Sequence, residues 1–273
     1  MGGGHKNACA GQAAGCKYQG LLCGPGNKEV NAMKIMVINP NSSKTMTSHL
    51  NHVLNAIKNA DTQLTVVCPE EAPPAIESAY DEAVCIPYVL KLVEQAAADG
   101  YDAAILACFS DPGLEPAREV TDMLVMGIEE TSMHVAAMLG AKFTILTLNK
   151  ERVPHKAKEA RRFMLENSLA SVRPLGMSVA ETDADPERTR AKIREVARLA
   201  KEEDGAEVVL LGCAGMAGYA EGITEELGLA VIDPSSVTLK VTEAMVASGL
   251  KQAKCGFYST PPSRKRVNPK GCC

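Results

Sequence analysis

The chain has 273 residues, 46% of them hydrophobic and 23% charged, which is enough for one large α/β domain or two ordinary lobes. With 29 Lys+Arg against 33 Asp+Glu the formal net charge is −4, and there is no tryptophan. That balance excludes general nucleic-acid binding, and no apolar run approaches the ~18 residues of a membrane span.

Residues 1–32 are rich in Gly, Ala and Cys without helical or strand period, and are read as a disordered extension. Cys9, Cys16 and Cys23 stand seven apart, unlike the paired C-x₂-C spacing of a zinc site. Gly2 would suit myristoylation, but Lys6 occupies the position that needs Ser or Thr. Met33 reads as the start of the folded part. Ten cysteines without a secretory signal point to a reducing, cytoplasmic setting, where internal thiols are core fillers or chemistry.

From Met33 onward short apolar runs alternate with amphipathic stretches. Strands are expected at Lys34–Ile38, Leu64–Cys68, Ala103–Ala107, Leu124–Ile128, Phe143–Leu148, Val208–Leu211 and Ala230–Ile232. Helices are expected at 43–60, 76–99, 114–122, 130–139, 151–167, 186–204 and 235–249. Asp185 as cap, Pro186 in the first turn and Gly205 after Asp204 delimit the helix over 186–204. Nearly all-apolar strands separated by helices mean parallel sheet covered on both faces, as one large sheet or two small ones. The fold class is α/β. Residues 259–273 read as a basic, solvated tail, since the terminal Cys272-Cys273 lacks the C-a-a-X prenylation pattern.

Ligands of parallel sheets bind beyond the carboxyl ends of the strands. Three polar clusters fall there: Asn39-Pro40-Asn41-Ser42-Ser43, Ala107-Cys108-Phe109-Ser110-Asp111-Pro112-Gly113, and Leu211-Gly212-Cys213-Ala214-Gly215-Met216. The first could hold an anionic or carbonyl oxygen, although helix capping by Ser42 or Ser43 explains it equally well. Cys108 and Cys213 each follow an apolar strand and precede a helix, whose positive end would favour thiolate. Either alone reads as a small core residue, but two thiols at equivalent strand ends suggest facing loops. Such a pair can take a proton from one face of a carbon acid and return one to the other. No H-E-x-x-H, paired C-x₂-C or phosphate-loop motif occurs, and the histidines have no ligand spacing. His49 and His52 read as exposed decoration, while His134 is placed near the cleft.

The clusters at 39–43, 107–113 and 211–216, with Pro-Ala-Ile-Glu-Ser and Asp81-Glu82 over 74–82 and Met-Gly-Ile-Glu-Glu over 126–130, resemble the hydantoin racemase branch of the aspartate/glutamate racemase superfamily. The likeness covers about residues 33–260. It implies two pseudo-symmetric Rossmann-like lobes with the active site in the cleft between them, and a last helix returning to the first lobe. The lobes would be 33–129 with 236–258, and 130–235. It also implies a homo-oligomer that racemises 5-monosubstituted hydantoins, a small-molecule substrate class, without cofactor or metal. By the resemblance Cys108 and Cys213 are the paired acid and base. Asn39, Ser43 and Thr147 would contact the polar edge of the ring, Phe109, Ala214 and Gly215 would offer backbone N–H groups, and Ser78 would lie nearby. Ser110, where the family usually has Gly, bears on substrate preference, and residues 72–73 read Ala-Pro in place of the family's usual Gly-Pro. Allantoin racemisation is the near alternative, since allantoin is itself a 5-substituted hydantoin. An aspartate or glutamate racemase would need a carboxylate anchor, for which Lys44 and Arg118 are the candidates. Maleate-type isomerisation and a non-catalytic ligand-binding protein are the remaining alternatives.

Overall fold

A computed structural model describes Met1 and residues 32–263. Expectations for residues 2–31 and 264–273 lie outside the described residues. The first half runs β1 (Met33–Ile38), α1 (Lys44–Ile57), β2 (Thr62–Val67), α2 (Ala79–Ala98), β3 (Ala103–Leu106), α3 (Leu114–Val120), β4 (Leu124–Gly127) and α4 (Ile128–Leu139). The second half runs β5 (Phe143–Thr147), α5 (Val153–Arg162), β6 (Leu169–Pro174), α6 (Val179–Ala184), α7 (Pro186–Asp204), β7 (Val208–Leu211), α8 (Ile223–Leu227), β8 (Ala230–Ile232) and α9 (Pro234–Ala247).

The eight strands form two four-stranded sheets of identical order, β2-β1-β3-β4 and β6-β5-β7-β8, with every pairing parallel. Both faces of the central strands are apolar because both are covered. Along β1, Ile35 and Val37 enter the core between the sheets, while Met36 and Ile38 pack under α2 and α3. Along β7, Val208 and Leu210 join that same central core, and Val209 and Leu211 pack under α7. Leu50 and Leu54 of α1 are fully buried in it, each worth about 1.5–3 kcal/mol of transfer free energy. After β8 the chain returns, and α9 packs on α1, α4, β3 and β4. Glu243 of α9 is buried and accepts from Asn59 N–H (2.8 Å) and the Thr62 hydroxyl (2.7 Å), fixing that return to the α1–β2 connection.

The α7 boundaries follow the expected chemistry. Asp185 accepts from Arg188 N–H at 3.0 Å, Pro186 sits in the first turn, and Gly205 closes the helix at φ 68°. Differences from the sequence pattern have local causes. β6 escapes the pattern because it is an edge strand of half-buried residues interrupted by Ser171 and Arg173. The helix expected over 151–167 ends at Arg162, where the chain turns through Met164 at φ 59°. Helices α6 and α8 span only 6 and 5 residues, too short to show a period. No helix among the described residues is long and apolar enough to cross a membrane.

Candidate active site

Each sheet has a point at which its chain order reverses: β2 lies on one side of β1 and β3 on the other, as do β6 and β7 around β5. Crevices open beyond the carboxyl ends of strands at such points. The loops after β1, β3, β5 and β7 here line one narrow cleft, in which the centre of a water-sized sphere can move through about 70 Å³. Asn39 and Asn41 come from the first loop, Cys108, Phe109 and Ser110 from the second, Thr147 and Asn149 from the third, and Gly212, Cys213 and Ala214 from the fourth.

The polar groups of the first loop are locked by local bonds. The Asn39 amide is buried and donates to Asn41 Oδ1 (2.8 Å) and the Thr47 hydroxyl (3.0 Å). Asn41 Oδ1 also accepts from Ser43 N–H at 2.9 Å. Ser43 does not line the cleft; its hydroxyl caps α1 by accepting from Met46 N–H at 3.2 Å. Ser78 is likewise a cap: its hydroxyl accepts from Asp81 N–H (3.2 Å) and Asp81 Oδ2 accepts from Ser78 N–H (3.0 Å). Its neighbours Ala75, Ile76 and Glu77 line the cleft instead. Gly215 stands behind the lining and donates its N–H to Cys213 Sγ at 3.4 Å. The Thr147 hydroxyl donates to Asn149 O at 3.0 Å.

Neither Cys108 nor Cys213 is in a disulfide, and both are half-buried. The helix start expected after each cysteine is not found directly behind it: Cys213 opens a three-residue 3-10 turn over Ala214–Met216 and α8 begins only at Ile223, while α3 begins only at Leu114. The surrounding protein pushes the Cys108 thiol up to about 12 by desolvation. The Ser110 hydroxyl, 3.4 Å from the sulfur, and Lys156 act in the opposite direction without prevailing.

The loop carrying Cys108 is tied down at Asp111, which adopts φ 43°. Its carboxylate accepts from Glu129 N–H (3.0 Å) and Glu130 N–H (2.8 Å), the first amides of α4. Gly127 leaves room for that carboxylate. On the other side, Gly212 leaves room for β5: a Cβ there would lie 2.6 Å from Leu146 O.

Two cations that sequence reading missed line the cleft, Arg152 and Lys156. The signal was their i,i+4 spacing just beyond the carboxyl end of β5. Arg152 pairs with Glu82 of α2, with His155 Nε2 3.8 Å from the same carboxylate. Lys156 is buried; its Nζ lies 2.8 Å from Glu129 Oε1 and also donates to Phe109 O. Neither candidate carboxylate anchor is here: Lys44 is exposed on Glu70, and Arg118 is buried against Glu130 and Tyr258. His134 is also elsewhere, exposed on α4 with Nδ1 2.7 Å from Glu130 O. His49 is half-buried with Nε2 3.1 Å from Ala217 O, so only its neighbour His52 is the exposed decoration expected of both.

Residues 35–242 match the sequence profile of the Asp/Glu/Hydantoin racemase family. The chain is 38% identical over 235 residues to a hydantoin racemase of Pseudomonas sp. (strain NS671), covering 86% of this chain and 94% of that one. A hydantoin racemase of Paenarthrobacter aurescens is 33% identical, over 85% and 99% of the two chains. Among solved structures, the allantoin racemase from Klebsiella pneumoniae superimposes with a TM-score of 0.81 at 33% identity, covering 84% of this chain and 94% of that one. With the profile spanning most of its folded length, the chain belongs to the Asp/Glu/Hydantoin racemase family and is an isomerase of the racemase type.

Proposed function

We propose that the chain interconverts the enantiomers of 5-monosubstituted hydantoins with Cys108 and Cys213 as the two bases and no cofactor. The observation that carries this reading is that the two thiols enter one cleft from equivalent strand ends of two sheets of identical order. One thiolate takes the C5 proton, and the electron pair moves into the adjacent carbonyl as an enolate. The opposite thiol then gives its proton to the other face of C5, leaving the roles of the sulfurs exchanged. In the resting site the raised Cys108 thiol is the proton donor. Backbone N–H groups at Phe109 and Ala214 would face the enolate oxygen.

A neutral ring suits the electrostatics of the cleft. Arg152 and Lys156 are each matched by a carboxylate, and Glu77 adds a further negative group, which disfavours a free amino-acid carboxylate. A second reading, allantoin as substrate, is favoured by Asn149, which lines the cleft with a side-chain amide suited to a ureido substituent. The acting form in this reading is a homo-oligomer.

The test follows optical rotation and C5–H by NMR in D₂O, with single-enantiomer hydantoins and allantoin. Loss of rotation with deuterium uptake, abolished in Cys108→Ser and Cys213→Ser, supports two-base racemisation, and the fastest ring names the substrate. Variants that each exchange only one enantiomer without inverting it assign the thiols to opposite faces. Absence of exchange on every ring would overturn the reading.

A further inference from the structure

We propose that Lys156 is a positioning residue for Cys108: its ammonium, held between Glu129 and the Phe109 carbonyl, fixes the Cys108 loop against the second lobe and places a positive charge in the cleft that the thiol enters. This rests on the reading of Cys108 as one of the two bases.

Three observations carry it. Lys156 is 2% exposed, a position that long charged side chains occupy only when paired. Its partners come from two elements: Glu129 from α4 and, from the loop after β3, Phe109 with both its carbonyl and its ring, whose centroid lies 5.0 Å from Nζ. Phe109 adjoins Cys108, so a helix of the second half of the chain grips the first thiol's own loop from across the cleft. Asp111 ties the other end of that loop to α4, and Glu129 donates its backbone N–H to that same carboxylate. The Cys108 loop is therefore anchored twice, and Lys156 supplies the cationic anchor.

The charge also acts at the sulfur. The other groups that bear on Cys108 are the Ser110 hydroxyl on its own loop, Cys213 across the cleft and Cys85 of α2. Both thiols oppose ionisation of Cys108, which leaves Lys156 and Ser110 as the two groups that favour it. Lys156 is itself flanked by His155 on its own helix, and Glu159 and Glu82 act on its partner Glu129. Glu129 Oε2 is buried without a hydrogen-bond partner. The pair is thus held by the lysine alone on that side, and Lys156→Met is best examined beside Lys156→Met combined with Glu129→Gln, which removes both charges.

The experiment is iodoacetamide alkylation of the unliganded protein at pH 9, with Cys108 and Cys213 read separately by peptide mass spectrometry. Variants are Lys156→Met, the double variant and Lys156→Arg, each checked for folding by circular dichroism. Loss of a nearby cation should slow Cys108 by about tenfold or more in Lys156→Met, leave Cys213 within about twofold, and be largely rescued by Lys156→Arg. In racemisation, kcat should fall by a similar factor with KM little changed. An unchanged Cys108 rate in folded variants, or equal slowing of both thiols, overturns the proposal. If Cys108 slows as expected while Cys108→Ser still racemises, the lysine anchor stands and the two-base reading falls.

Discussion

Gly127→Ala is expected to destabilise the protein although nothing in the backbone forbids alanine there. Gly127 has φ −109° and ψ 141°, ordinary extended geometry, so a methyl group brings no torsional strain. Its cost lies in space, because a Cβ at 127 would stand well inside van der Waals contact with all three carboxyl atoms of Asp111. That carboxylate accepts from Glu129 and Glu130 N–H at 3.0 and 2.8 Å. Burial and the neighbouring Glu129 push that carboxyl up to about 8, so the charged-group value does not apply; leaving an N–H without its acceptor costs about 1–3 kcal/mol, and losing both about 2–6 kcal/mol. Replacing Gly by Ala returns about 0.4–1 kcal/mol through the unfolded chain. The net expectation is a loss of roughly 1–5 kcal/mol, large against a typical stability of about 5–15 kcal/mol. Activity should fall too, because Asp111 N–H donates to Cys108 O at 3.0 Å and the Cys108 loop moves with it. Urea unfolding of Gly127→Ala, Asp111→Ala and the double variant measures the coupling. With the carboxylate gone the added methyl should cost little, so the two losses must not add. A single variant within about 1 kcal/mol of the parent, or strict additivity in the cycle, would refute the reasoning.

Other outcomes follow from the same geometry. At pH 8 iodoacetamide should label the exposed Cys255 well before Cys108 or Cys85, whose thiols burial pushes up to about 12; equal rates at that pH would count against that burial. Glu243→Ala leaves the Asn59 N–H and the buried Thr62 hydroxyl without their acceptor and should cost about 2–4 kcal/mol in denaturant unfolding. Hydrogen bonds from Arg173 hold the Asp204 carboxyl below its ordinary 3.8. A depressed carboxylate stabilises the fold above that pH and loses its contribution as pH falls through the folded value, so Tm should drop less steeply below pH 4 in Asp204→Asn than in the parent.

The central strands were legible because both their faces are covered: Ala103–Leu106 and Val208–Leu211 are unbroken apolar runs, and the cysteines that follow them stand out against polar loops. The hydroxyls were less legible. Ser43 and Ser78 look alike as ligands and as caps in sequence, and only the direction of Met46 and Asp81 N–H decides for capping. Lys156 lies on, and Arg152 just before, a helix half of whose residues are charged, which reads as a solvated face. Their role emerges only when Glu82 and Glu129, 70 and 27 residues away, are brought against them. Long-range charge pairing leaves no periodic trace.

That pairing also bears on why two lobes serve a racemase. A planar carbanion must be reached from both faces, and one sheet presents its loops from one side only. Two sheets of the same order, each opening a crevice at its own reversal point, place equivalent loops on opposite sides of a shared space. The thiols then arrive as counterparts, yet their surroundings differ. Cys213 accepts an N–H from the turn it begins, whereas Cys108 lies 3.4 Å from the Ser110 hydroxyl and near the Lys156–Glu129 pair, of which only the lysine comes from the facing lobe. In the proposed two-base reading, similar positions with unlike electrostatics bias which of the two coupled sulfurs holds the proton in the resting site.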